Sequence, residues 1–140
     1  MGPTAAPKTA GTITLLTRLA KVVHRRTPED LLGMRLRSFV MLSYVAERGA
    51  VPQQDLADVF CMDANNLVLL LNELELADLV RRQRDPDDRR RHRVEITDSG
   101  RAALAHAESA REAIEDEVLG ALDSDERETL RALLVKALDS

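Results

Sequence analysis

Seven arginines fall between Arg81 and Thr97: Arg81, Arg82, Arg84, Arg89, Arg90, Arg91 and Arg93. Asp85, Pro86, Asp87 and Asp88 interrupt them, and Val94 and Ile96 then alternate with polar residues. A guanidinium is permanently charged and presents a planar fork of donors suited to phosphate and carboxylate oxygens. Asp-Pro favours a turn, and the alternation after it favours a strand, so the stretch reads as a charged β-hairpin. Arg89, Arg90 and Arg91 stand side by side next to that turn, where like charges repel. An anionic partner explains their presence better than solubility does. A nucleic-acid backbone with a narrow minor groove, whose negative potential attracts arginine, fits best. Asp88 is placed to hold one of the three by a carboxylate–guanidinium pair, and Arg84 lies on the opposing arm of the hairpin.

Other residues with chemical potential form no constellation. Cys61 is the only cysteine, which excludes an intramolecular disulfide framework and suits a reducing compartment. No cation neighbours it in sequence, and its place between Phe60 and Met62 predicts a small buried residue more than a reactive thiolate. His24, His92 and His106 have no ligand-like spacing, so no metal is expected. Ser99, between Asp98 and Gly100, lacks the pattern of a nucleophile elbow. The sequence therefore predicts no catalytic residues, no cofactor and no enzyme activity.

The distribution of charge says more than the net value of −4. Residues 1–50 carry eight bases and three acids, whereas residues 51–80 carry six acids and no base. Residues 98–140 carry five bases and eleven acids. Local fields act over about a Debye length, ~8 Å at physiological salt, so the basic segments and not the overall sum would steer a polyanion. With 140 residues and 44% apolar content, the chain is sized for one domain with a real core. No secretory leader or long apolar run is legible, which predicts a soluble cytoplasmic protein without membrane contact.

These residues must be positioned by mainly helical elements. Residues 1–11 read as a loose tail. A helix follows from Thr12 to Arg26, striped by Leu15, Leu16, Leu19, Val22 and Val23. Thr27-Pro-Glu-Asp30 predicts a Thr-capped helix start, cut short at Gly33. A second long helix runs from Arg35 to Glu47 and closes at Gly49. Val51–Phe60 predicts a short amphipathic helix burying Leu56, Val59 and Phe60. Asp63 caps the next helix, Ala64–Leu76, whose inner face is Leu67, Leu70, Leu71 and Leu74. Two such helices joined by a tight turn make a helix-turn-helix. The hairpin comes next, with strands starting at Leu79-Val80 and Val94. Asp98-Ser-Gly100 then punctuates the chain before a long helix to Leu119, and Asp123-Ser-Asp-Glu126 caps a last leucine-rich helix. The fold class expected is mainly α: a winged helix-turn-helix (35–97) that follows a loose tail (1–11) and an N-terminal helix and linker (12–34) and precedes C-terminal helices (98–140).

Leu56-Ala57, Leu74-Glu75, Asp78-Leu-Val-Arg-Arg82, Asp85-Pro-Asp-Asp-Arg-Arg90 and Ile96-Thr-Asp-Ser-Gly-Arg101 resemble the MarR family of bacterial transcription regulators. The family's wing signature is met by Asp88, Arg90, Ile96 and Thr97. Ser124-Asp-Glu-Arg127 resembles the start of its last helix. This resemblance covers residues 12–138. It implies a homodimer, usually a repressor, on double-stranded DNA with a pseudo-palindromic site. The N-terminal helix and linker (12–34) and the C-terminal helices (98–140) would form the dimerisation region, and residues 35–97 the DNA-binding domain. Recognition helices would lie in successive major grooves and wings in the flanking minor grooves. It also implies release by a small lipophilic or aromatic effector, or by cysteine oxidation.

Where the family usually carries Arg, Lys, Ser or Thr on the recognition helix, this chain has Ala64, Val68 and Leu69. Asn65 and Asn66 remain, and an asparagine amide pairs bidentately with adenine N6 and N7. Val68 and Leu69 either meet thymine methyls or are buried. Gln53 and Gln54 suit phosphate or base edges, and Arg35 and Arg37 suit phosphates. Direct readout is thus expected to be weak and the wing to carry much of the affinity. The cation-free 51–80 block supports a rival reading, a winged-helix protein-interaction module without DNA binding.

Overall fold

In unit Pro28–Ala110, the structural core is a layer of leucine and valine side chains beneath three helices and a small sheet. A computed structural model describes residues 8–139, so most of the expected tail (residues 1–7) lies outside the described residues. The chain divides into two compact units, one comprising the segments up to Thr27 and from Arg111 onward, the other Pro28–Ala110.

The elements of Pro28–Ala110 run in the order α2 (Glu29–Leu32), α3 (Leu36–Arg48), β1 (Val51–Pro52), α4 (Gln53–Val59), α5 (Ala64–Leu76), β2 (Val80–Arg84) and β3 (His92–Ile96). The first part of α6 (Asp98–Val118) follows. Leu67, Leu70, Leu71 and Leu74 of α5 are buried with Met41, Leu42 and Val45 of α3, Leu56 of α4, and Val51, Val80, Val94 and Ile96 from the sheet. Tyr44 and Phe60 meet edge to face at 5.3 Å between centroids, and the Arg48 guanidinium stacks on Tyr44 at 3.7 Å from the ring centre. With so few aromatics, branched aliphatic side chains supply nearly all the apolar area.

Three strands form one antiparallel sheet in the order β1-β3-β2. In the hairpin register Val80 faces Ile96, Arg82 faces Val94 and Arg84 faces His92. Val51 and Pro52, expected to begin a helix, pair instead with Val94 and Arg93. Pairing Val51 places its side chain in the core, and Pro52 fixes the backbone at the N-cap of α4, where a missing N–H costs nothing. Val59, expected in the core, is 46% exposed.

Both helices of the helix-turn-helix end in a Schellman motif without glycine. After α4, Cys61 adopts φ 52°, with Met62 N–H donating to Ala57 O (3.0 Å) and Cys61 N–H to Asp58 O (3.4 Å). After α5, Asp78 adopts φ 61°, with Leu79 N–H donating to Leu74 O (2.9 Å). This geometry turns the Cys61 side chain out to solvent, correcting the expectation of a buried cysteine.

Thr27 also differs from its expected role. Its hydroxyl donates back to Val23 O at 2.6 Å and closes the preceding helix, while Pro28 precedes α2 without any side-chain cap. Asp63 does cap α5, accepting from Asn66 N–H at 2.8 Å. Asp98-Ser-Gly100, expected as punctuation, is the first turn of α6. Thr97 is its cap: the hydroxyl accepts from Gly100 N–H (2.9 Å) and donates to Asp78 O (2.5 Å).

The other unit holds α1 (Thr12–Arg26), the remainder of α6 and α7 (Ser124–Leu138). The Asp123/Glu126 capping box opens α7 as the sequence predicts. Arg26 pairs with Glu117 at 3.2 Å and Arg127 with Asp116 at 2.7 Å. Neither α1 nor α7 has a buried residue. Among the described residues, no helix is long and apolar enough to cross a membrane.

Glycine is required at position 100 because a Cβ there would lie 2.1 Å from Leu79 O and 2.6 Å from Ile96 Cγ1. Gly100→Ala must push α6 away from the hairpin root and is expected to destabilise the protein by about 2–3 kcal/mol, as overpacked sites do. A urea titration of the variant against the parent checks this; an unchanged midpoint would show that the contact relaxes without cost.

Candidate nucleic-acid interface

The hairpin is shaped by carboxylates that each engage arginine. At the turn, Asp85 Oδ1 accepts from Asp87 N–H at 2.9 Å, forming an Asx turn. The loop closes through Asp85 N–H to Arg91 O at 2.8 Å and Arg91 N–H to Asp88 O at 3.0 Å. Asp85 Oδ2 lies 3.3 Å from Arg93 Nε, and its side chain is 13% exposed. The Asp87 N–H, and after it the Arg93 guanidinium, hold the Asp85 carboxyl below the usual aspartate range. Asp88 sits 3.4 Å from Arg90 Nε and 3.6 Å from Arg91 Nε. Sequence reasoning singled out Asp88 and missed Asp85, whose Asp-Pro context signalled a turn without revealing the ion pair across it.

Arg82, grouped by sequence with the anion-gripping arginines, does something else. Its guanidinium donates to Asn72 Oδ1 (2.5 Å) and Glu75 Oε1 (3.0 Å), and its backbone N–H donates to Glu75 Oε2 (3.2 Å). The Arg82 guanidinium, and then its backbone N–H, lower the Glu75 carboxyl. Strand β2 is thereby tied to the second half of α5. Its signal was available in the sequence: Leu74-Glu75 and Arg82 lie just either side of the turn at Ala77–Leu79.

These engagements leave the remaining arginines outward. The Arg90 side chain is 93% exposed and that of Arg91 62%. Arg89 is exposed, and Arg84 Nη1 reaches the Arg89 carbonyl at 3.5 Å. Arg90, Arg91 and His92 line a shallow groove of about 250 Å³ together with Gln53, Gln54 and Ala64. The structure thus brings the hairpin and the first turns of α4 and α5 to one side. Gln54 is exposed, and the enclosed Gln53 Oε1 has no hydrogen-bond partner among the described residues.

On α5, Asn65 is exposed, Leu69 is 60% exposed and Val68 is half-buried. The Asn66 amide is engaged, donating to Asp63 Oδ2 at 2.8 Å. Arg35 and Arg37, at the start of α3, both pair with Glu73 of α5, Arg37 at 3.6 Å. Their side chains remain 44% and 48% exposed. Among the described residues, no group of three His, Cys, Asp or Glu side chains could hold a metal.

A helix-turn-helix followed by a β-hairpin that carries outward arginines defines a winged helix-turn-helix protein. Residues 35–92 match the model of the MarR family. The regulator HosA of Escherichia coli O111:H- is 27% identical over 115 residues, covering 82% of this chain and 85% of HosA. The repressor NicR of Pseudomonas putida is 31% identical over 102 residues, covering 73% and 65%. A mutant MarR of E. coli solved with operator DNA has the same fold, with a TM-score of 0.75 at 23% identity over 89% of this chain and 91% of that one. The chain belongs to the MarR family of transcription regulators.

Asp85→Asn keeps the turn acceptor and removes the charge facing Arg93. It is expected to leave helix content intact while speeding amide hydrogen exchange at Asp87 and Arg91. Because the folded carboxyl lies below its unfolded value, the wild-type contribution is fully present above the unfolded value, about 3.9, and is lost as pH falls through the depressed one. Exchange measured down to about pH 3 checks this sign, since the carboxyl titrates below that unfolded value; protection that rises on acidification would reverse it.

Proposed function

We propose that this regulator is a dimeric repressor that grips a pseudo-palindromic operator mainly through its wings. Arg89, Arg90 and Arg91, with Arg84 behind them, enter or border the minor groove. Asn65, Asn66, Val68 and Leu69 face the major groove. Gln53, Gln54, Arg35 and Arg37 take the backbone. The observation that carries this reading is the nearly complete exposure of Arg90 at the tip of a wing whose Arg93 and Arg82 are held by Asp85 and Glu75. NicR, a repressor, and a MarR bound to operator DNA support the sign and the ligand.

Dimerisation is supported by apolar side chains that neither terminal helix buries. Ile13 is 76% exposed, Leu133 58%, Val135 46% and Leu138 84%. Patches of this kind usually mark an interface. We assign residues 12–34 and 98–140 to it, and 35–97 to DNA binding. Symmetric dimers then place half-sites about one turn apart, ~34–36 Å. Release by a small lipophilic or aromatic effector rests on family resemblance. The protein performs no catalysis in this scheme and works in the cytoplasm.

Two measurements test this. Replacing Arg89 and Arg90 by alanine should weaken operator binding and flatten the slope of log affinity against log salt, by roughly one unit for each phosphate no longer neutralised. An unchanged slope would remove the wing as the grip. Leu133→Glu together with Leu138→Glu should convert a sedimenting dimer to a monomer; a dimer that persists would place the interface elsewhere.

A further inference from the structure

The outer face of α5 is chemically narrow. Asn65, Leu69, Asn72 and Leu76 recur at helical spacing opposite the buried leucines, and all four are exposed. No lysine or arginine occurs anywhere from residue 51 to residue 80. The commonest specific contact to guanine, a bidentate arginine or lysine at O6 and N7, therefore cannot come from this helix. Cytosine N4 calls for a carboxylate, and those at the start of this helix and along it are engaged: Asp63 by Asn66, Glu73 by Arg35 and Arg37, and Glu75 by Arg82.

The three amides of α5 are not equivalent. Asn66 donates to Asp63 at 2.8 Å, and Asn72 accepts from Arg82 at 2.5 Å. Asn65 makes no side-chain hydrogen bond among the described residues, so both its donor and its acceptor are available. It lies in the first turn of α5, the part of a recognition helix that reaches base edges. Ala64 beside it lines the same groove as Arg90 and Arg91. Leu69 stands one turn further on, 60% exposed, and its isobutyl group has no polar partner to seek.

From this we infer that α5 reads an A·T core in each half-site: Asn65 pairs with adenine N6 and N7, and Leu69 packs on a thymine methyl group. The assignment deepens the operator-binding function proposed above and rests on it. Specificity resides in two side chains of this helix, while the wing supplies affinity that depends little on sequence.

The full-length protein is first used to select duplexes from a random pool, and base analogues are then scanned through the selected half-site. Deoxyuridine removes only the thymine methyl, and 7-deazaadenine removes only N7. One deoxyuridine position should weaken wild-type binding several-fold, and that penalty should vanish in Leu69→Ala. One 7-deazaadenine position should weaken it about tenfold, as expected for a bidentate pair, and that penalty should vanish in Asn65→Ala. Both side chains are exposed, and the wild-type scan needs no variant at all. A selected core of G·C pairs, or analogue penalties that persist unchanged in the two variants, would overturn the inference while leaving DNA binding intact. Failure to retain any duplex even at low salt would instead overturn the operator-binding function itself, and the inference with it.

Discussion

Seven arginines on one hairpin repel one another unless carboxylates set their directions, and this constraint organises the unit Pro28–Ala110. Asp85 holds Arg93 across the turn, Asp88 lies under Arg90 and Arg91, and Glu75 with Asn72 holds Arg82. Exposed ion pairs contribute little to stability on their own. The Arg82 and Asp85 side chains, at 21% and 13% exposure, are sheltered enough for geometry to matter. The result is directional. Arg82 fixes the wing's root to the recognition helix, Asp85 fixes its turn, and the remaining guanidinium groups project outward.

The hydrophobic core serves the same end. Val51 on β1 pairs opposite Val94 on β3, and both are buried with the inner leucines of α5. The close approach of Gly100 to Leu79 O, and the Thr97 hydroxyl between Gly100 and Asp78, seat the first turn of α6 on the hairpin root. Recognition helix, sheet and wing are therefore held as one body by short contacts, which suits a surface that must match a rigid duplex.

Much of this was legible in sequence because the signals were periodic or chemical. The leucine spacing of α5, its Asp63 cap, the Asp123/Glu126 box and the basic hairpin all read directly. What was hidden depended on distant partners. Val51-Pro52 looks like a helix start until β3 is there to pair with it. Cys61 and Asp78 occupy left-handed positions usually taken by glycine, and no local pattern marks them. Thr27 has the residue type of a helix cap, yet its hydroxyl finds the nearer carbonyl of Val23. Arg82 is indistinguishable by composition from Arg90, and only the fold separates the one that holds the wing from the one that faces solvent.

An acidic protein with a cation-free recognition helix must place its attraction for DNA elsewhere, and the proposed place is the minor groove. Hydroxyl-radical footprinting reports ribose accessibility along that groove and tests the placement directly. Two symmetric protections should flank the half-sites on the minor-groove side and disappear when the wing arginines are removed. Protection confined to the two major-groove faces, with the flanking minor groove fully cleaved, would contradict it.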